Sequence, residues 1–154
     1  EETGGIIGNG DITMDWIVQV LKRTVDTQYR TKADCRHTFL AGSSMGGLMT
    51  LYGLLAYPEV FSRGAALSPS LWIDAEKVKA MIRHARVKRN TVLYMDYGAL
   101  EFADHPHSRS LFAEVSALLI EKRVLLNSRI VPRGTHCEAS WEKQIPFFMK
   151  TLFE

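Results

Sequence analysis

Four short strand-like segments, each followed by a stretch with helical spacing, constrain this chain more than anything else in it. They are Thr38–Ala41, Gly64–Ser68, Thr91–Met95 and Val124–Val131. Each is too short for a buried helix, and Gly42, Gly98 and Pro132-Arg133-Gly134 close three of them, so they read as strands. Helices are predicted over Gly46–Ala56, ending before Pro58, and from the Asp74 cap to about Val87. Two more are predicted from Ser108 to about Lys122, and from a Ser140 cap to about Phe153 with a kink or restart at Pro146. Ahead of these, residues 1–11 are glycine-rich and read as a loop. Met14, Ile17, Val18, Leu21 and Val25 then share one face of a helix ending near Tyr29. Strands alternating with helices imply parallel pairing and right-handed crossovers. The expected fold class is α/β, with a mostly parallel sheet and flanking helices.

A chain of 154 residues fits one domain with a sizeable core. Lys+Arg number 19 against 17 Asp+Glu, a net charge of +2 that gives no electrostatic case for nucleic acid. No apolar run approaches the ~20 residues of a membrane span. The start, Glu1-Glu2-Thr3-Gly4-Gly5, lacks the basic-then-apolar order of a signal peptide. A removed leader would leave no trace, so the compartment stays open, with the cytoplasm slightly favoured. Two cysteines, Cys35 and Cys137, make neither a disulfide framework nor a four-thiolate zinc site.

Gly42-Ser43-Ser44-Met45-Gly46 fits G-x-S-x-G between an apolar strand and an apolar helix, the context this motif requires. The chain must turn sharply there, and Gly42 and Gly46 leave room for the close approach. Ser44 is then lifted above the carboxyl ends of the strands. The N–H of Met45 sits at a helix N-terminus, where it can hold an oxyanion. A serine hydroxyl needs a base, and the base needs a carboxylate to orient it. His136 follows the last strand and its Pro-Arg-Gly turn, where the base is expected. The acid should follow Thr91–Met95. Glu101, clear of the strand, is preferred over Asp96, which sits at the expected strand end. Asp104, further out, is a third candidate.

Other residues carry weaker signals. Asp104-His105-Pro106-His107 resembles a metal cluster, but a proline-broken loop reads better as solvated, and no metal is expected. His37 and His84 read as surface residues. Ser68-Pro69-Ser70-Leu71-Trp72 is either a plain connection or a substrate-pocket wall with Trp72 as its apolar face. Trp141 either lines that pocket or packs inward.

Three stretches together resemble the "Putative esterase" family of α/β-hydrolases: Ala41 to Leu48, Tyr57-Pro58-Glu59-Val60-Phe61, and Ser68-Pro69-Ser70-Leu71-Trp72. That group includes esterase D-like, siderophore and feruloyl esterases. Tyr29-Arg30-Thr31, Tyr97-Gly98-Ala99-Leu100-Glu101 and Gly134-Thr135-His136 with Trp141 match as well, so the likeness covers about residues 14 to 154. It implies an esterase with Ser44 as nucleophile, Glu101 as acid and His136 as base, acting through an acyl-enzyme on a small-molecule ester without cofactor. The alternatives are acyl transfer at the same site and a catalytically silent binding module. The intact Ser44, Glu101 and His136 set favours the enzyme. Family members carry more strands ahead of the nucleophile strand, so residues 1–154 resemble one partial catalytic domain, its carboxyl-terminal portion. Only Met45 can be assigned to the oxyanion hole. Thr38–Ala41 and Thr91–Met95 should both be central strands, so a second chain or a preceding segment is expected to complete the sheet. Some feruloyl esterases join a Cys beside the serine to one beside the histidine. Here Ser43 precedes the serine, so that bridge cannot form, and a Cys35–Cys137 bond is not expected either.

Overall fold

The computed structural model describes residues 8–104 and 106–154, so most of the glycine-rich start lies outside the described residues. The chain divides into two compact units, Glu1–Ala33 and Asp34–Glu154.

The first unit is helical: α1 (Gly10–Trp16), a π-helical stretch (Ile17–Leu21) and α2 (Lys22–Gln28) follow one another without a break. The helix begins earlier than its apolar periodicity suggests, because Thr13 N–H already bonds Asn9 O. Met14 and Val18 are buried as expected, but Leu21 and Val25 are exposed. The π stretch takes more residues per turn, which moves later side chains off the face that an uninterrupted α-helix would present. Lys22 Nζ reaches Asp26 Oδ2 at 2.5 Å, and Thr31 Oγ1 donates to Asp26 Oδ1. These contacts, the lysine's first, hold the Asp26 carboxyl below its usual value.

The second unit is an α/β layer structure. Its strands are β1 (Phe39–Ser43), β2 (Arg63–Leu67), β3 (Val92–Gly98) and β4 (Leu125–Val131). All neighbours are parallel, in the order β1-β2-β3-β4. The helices are α3 (Met45–Ala56), α4 (Ala75–His84), α5 (Glu101–Asp104), α6 (Ser108–Glu121), α7 (Glu138–Glu142) and α8 (Ile145–Phe153). Helix α3 packs on β1 and β2, α6 on β4, and α8 on β2 and β3. Burial follows from that cover. Leu93, Tyr94 and Met95 point alternately to the two faces of β3, and all three are fully buried. Tyr94, Ala65, Leu67 and Leu152 form a core cluster, with Phe39, Trp141 and Phe148 packed against it.

The element limits differ in places from those expected. The strand predicted over Thr91–Met95 continues to Gly98, because Tyr97 and Gly98 stay in register with Ile130 and Val131. Asp96 is therefore inside the strand, paired with Leu67 and Arg129, not at its end. Strand β1 is an edge of the four described strands, with no neighbour among them on its outer side, and Ala41 on it is exposed. The first part of the last helix, α7, starts at Glu138, ahead of the expected Ser140 cap, but the helix restarts beside Pro146 as expected, with α8 beginning at Ile145 and Pro146 in its first turn. Proline is tolerated there because the first-turn N–H groups lack intrahelical acceptors.

Candidate active site

Because the strands are parallel and in sequential order, every strand-to-helix loop emerges at one edge of the sheet. That edge is where ligands bind in open α/β folds. The loop after β1 carries Ser44, the loop after β2 carries Ser68 and Ser70, the connection after β3 leads into Glu101 at the start of α5, and the loop after β4 carries His136.

Ser44 is held in a conformation L-residues rarely adopt, φ 55° and ψ −119°. Three backbone hydrogen bonds fix it: Ser44 N–H to Leu67 O, Ser70 N–H to Ser44 O, and Leu48 N–H to Ser44 O. The last is the first bond of α3, so the N–H of Met45 ahead of it has no intrahelical acceptor. Gly42 has the steric role expected of it, since a Cβ there would meet Gly46 C and O at 2.5 Å. Gly46 differs: its own Cβ would stand in open space, and it is the backbone of Gly46 that Gly42 must clear. Gly47 is the second constrained position, with a Cβ falling 3.0 Å from Leu67 O.

Ser44 Oγ lies 2.9 Å from His136 Nε2, and His136 Nδ1 lies 2.7 Å from Glu101 Oε2. The three residues thus form one hydrogen-bonded line. Glu101 is 5% exposed, while the His136 side chain keeps 44% of its surface open. A second serine stands beside Ser44, with Ser70 Oγ 3.3 Å from Ser44 Oγ. Trp141 packs edge-on against the imidazole, ring centroids 5.0 Å apart, and also joins the core cluster. The inward packing expected of it is present in part, since it is partly buried against that cluster. Trp72 lies in a short 3-10 turn, Leu71–Ile73, and is half exposed.

Asp96 does not reach the imidazole. It is 1% exposed, accepts the Tyr94 hydroxyl at 2.6 Å and takes the Ser68 N–H on Oδ1 at 3.2 Å. Burial pushes its carboxyl above the ordinary value, partly opposed by the Tyr94 and Ser68 hydrogen bonds. Burial also raises the Tyr94 hydroxyl, helped by the Asp96 carboxyl. The Tyr97 hydroxyl donates to Pro69 O and is raised by burial and by Glu101.

The segments that carry Glu101 and His136 touch through glycine. A Cβ on Gly98 would collide with the backbone of Gly134, and one on Gly134 would come 2.7 Å from Gly98 Cα. Ala99 N–H bonds Val131 O and Leu100 N–H bonds Gly134 O, closing the seam. Beside His136, Cys137 is a free thiol held below its ordinary value chiefly by its contact with the Thr135 hydroxyl; Cys35 is also free.

Among the described residues, no cluster of His, Cys, Asp and Glu could hold a metal ion. His105 of the Asp104–His107 stretch lies outside the described residues. No helix among the described residues is long and apolar enough to cross a membrane.

Sequence reasoning missed the part played by Ser68 and Ser70. The available signal was a Ser-Pro-Ser at the carboxyl end of a strand, two small polar residues at the edge where Ser44 stands.

Solved structures share this fold. An IroE-like serine hydrolase from Shewanella oneidensis matches with a TM-score of 0.75 at 20% identity, over 94% of this chain and 47% of that one. Enterochelin esterase from Shigella flexneri matches at 0.71 and 24%, over 90% and 36%. The siderophore hydrolase EstA from Aspergillus nidulans matches at 0.70 and 19%, over 94% and 57%. The chain thus spans between about a third and three-fifths of the length of these structures. A search of curated protein sequences found no match. The family model described as "Putative esterase" matches residues 10–149, nearly the whole chain and every site residue named above, and the chain belongs to that family.

Proposed function

We propose that this chain carries the catalytic centre of a serine carboxylic-ester hydrolase, with Ser44 as nucleophile, His136 as general base and Glu101 as the orienting acid. The observation that carries this reading is the continuous contact from Ser44 Oγ through the imidazole to Glu101, at 2.9 and 2.7 Å. Glu101 on Nδ1 selects the tautomer whose Nε2 lone pair faces the serine hydroxyl. Nε2 takes the hydroxyl proton as Oγ bonds to the ester carbonyl carbon, and the carbonyl oxygen becomes an oxyanion beside the Met45 N–H. The imidazolium, stabilised by the Glu101 carboxylate, returns the proton to the departing alcohol oxygen and leaves an acyl-enzyme. Water then repeats both steps and releases the carboxylic acid. Each group in the scheme belongs to the chain itself, so no cofactor enters.

The test is labelling by a fluorophosphonate probe, followed by mass spectrometry of the labelled peptide. The expected adduct is on Ser44, absent from Ser44→Ala. An adduct elsewhere, or none on protein able to refold reversibly, overturns the reading.

The exposed edge of β1 supports a second element of the proposal, that a further strand pairs there in the working protein. It would come from a second chain or from the same polypeptide. An unpaired parallel edge leaves a row of backbone donors and acceptors open. Light scattering with intact-mass measurement tests this on residues 1–154. A monodisperse 17.4 kDa monomer that unfolds cooperatively would refute it.

A further inference from the structure

The two oxygens of Glu101 have different neighbours. Oε2 faces His136 Nδ1 at 2.7 Å. Oε1 faces away from the imidazole and accepts two donors, Gly98 N–H and the Ser68 hydroxyl, both at 2.7 Å. The direction of the serine bond is fixed by a third neighbour. Trp141 Nε1 lies 3.0 Å from Ser68 Oγ, and an indole N–H can only donate. Ser68 Oγ therefore accepts from Trp141, and its single hydrogen goes to Glu101 Oε1, which as a carboxylate can only accept. Ser68 is 1% exposed, so no solvent competes for that hydrogen. Its backbone is pinned as well, at φ 40°, with its N–H on Asp96 O at 3.0 Å and on Asp96 Oδ1.

We propose that Ser68 is a positioning residue for the esterase centre. Its hydroxyl, aligned by the Trp141 indole N–H, locks the Glu101 carboxylate so that Oε2 is presented to His136. The proposal rests on the serine-hydrolase reading of Ser44, Glu101 and His136. The terminal torsion of a glutamate is soft, so one donor from Gly98 leaves the carboxylate free to pivot. A second donor on the same oxygen removes that freedom. Trp141 then acts on both members of the acid–base pair: its ring edge packs on the imidazole, and its N–H reaches the carboxylate through Ser68. Asp96 serves the same arrangement from below, by holding the backbone of Ser68 in place.

The test uses the full-length protein with Ser68→Ala, Trp141→Phe and the double variant, each checked for folding by circular dichroism. With an aryl ester, Ser68→Ala is expected to lower kcat by about 10-fold to 100-fold and leave KM near wild type, the usual scale for a group that orients a reacting residue. Trp141→Phe should lower kcat less. Its effect should shrink in the Ser68→Ala background, where the indole N–H has no hydroxyl to align. Losses that simply multiply, or a Ser68→Ala kcat within about twofold of wild type, overturn the proposal. Trp141→Phe alone keeps it falsifiable if Ser68→Ala fails to fold, because an unchanged kcat there removes the alignment step.

A second readout does not depend on turnover. The downfield proton resonance of His136 Nδ1–H, followed by NMR at low pH, reports the contact with Glu101 directly. It should move upfield or broaden in Ser68→Ala and persist in Ser44→Ala. An unmoved resonance in Ser68→Ala sinks the brace and leaves the hydrolase reading standing. An inactive wild type whose resonance still responds to Ser68→Ala sinks the hydrolase reading, and with it any role in catalysis for the brace.

Discussion

Ser44 and His136 are 92 positions apart in the chain and 2.9 Å apart at Oγ and Nε2. Three parallel strands in sequential order close that distance, because the loop after β1 and the loop after β4 open on the same edge of the sheet. In the proposed mechanism these two groups act as one unit in proton transfer, so they should fail as one unit. Ser44→Ala and His136→Ala are each expected to lower kcat by about 10⁴-fold or more, and the double variant to be no worse than either. Initial rates on an activated aryl ester measure all three. Losses that multiply would mean the two side chains act separately.

The two carboxylates near the end of β3 should respond in opposite ways. Glu101→Gln places an amide where Oε1 accepts from Gly98 and Ser68 and Oε2 faces the imidazole, so the tautomer is no longer held. Its kcat should fall by about 10³-fold or more. Asp96→Asn should cost less than about tenfold, since the amide oxygen can keep the Ser68 N–H while the Tyr94 hydroxyl turns to accept the NH₂ group. Parallel kcat measurements decide between them, and a dead Asp96→Asn beside an active Glu101→Gln would reverse the assignment.

Asp96 also predicts how stability varies with pH. Its folded-state carboxyl is raised by burial above the ordinary 3.8, so the native protein keeps a proton that the unfolded chain has released. The sign follows: this contribution is full below 3.8 and is lost as pH rises through the raised value. Carboxylates with lowered values, such as Asp26 and Asp34, contribute in the opposite sense, so the difference between wild type and Asp96→Asn isolates the effect. Urea denaturation across that range should show the wild type losing stability relative to the variant as pH rises. A constant difference would show that the carboxyl is not perturbed.

The two motif glycines should separate cleanly. Gly42→Ala drives a methyl into the backbone of Gly46, which cannot retreat without opening the turn, at a cost of about 1–3 kcal/mol. Gly46→Ala meets nothing within 4 Å and adds a better helix former to the first turn of α3, so its stability should stay within about 0.5 kcal/mol of wild type. Chemical denaturation of both variants measures the contrast. Equal losses would place the constraint on both positions.

The turn around Ser44 was legible because its requirements are local: a strand, a five-residue motif and a helix follow one another along the chain. His136 was legible from topology, since the loop after the last strand has one histidine in it. The limit of β3 was not legible. Gly98 reads as a stop in one dimension, yet in the sheet it pairs with Val131, which carries the strand past Asp96. That shift turns a supposed strand-end acid into a buried one and leaves Glu101 as the carboxylate beyond the strand. The contacts of Ser68 were hidden for a related reason: its partner Trp141 is 73 positions away, and only the folded sheet brings the two within reach.

The seam between Gly98 and Gly134 ties the loop of the acid to the loop of the histidine, with no side chain between them to absorb a change. The alignment of imidazole and carboxylate is thereby inherited from the stagger of two neighbouring strands. An insertion in either loop cannot be accommodated there alone. Any variation in shape along this edge of the sheet has to be written elsewhere, in the loops after β1 and β2, while the β3–β4 end stays the fixed reference against which those parts vary.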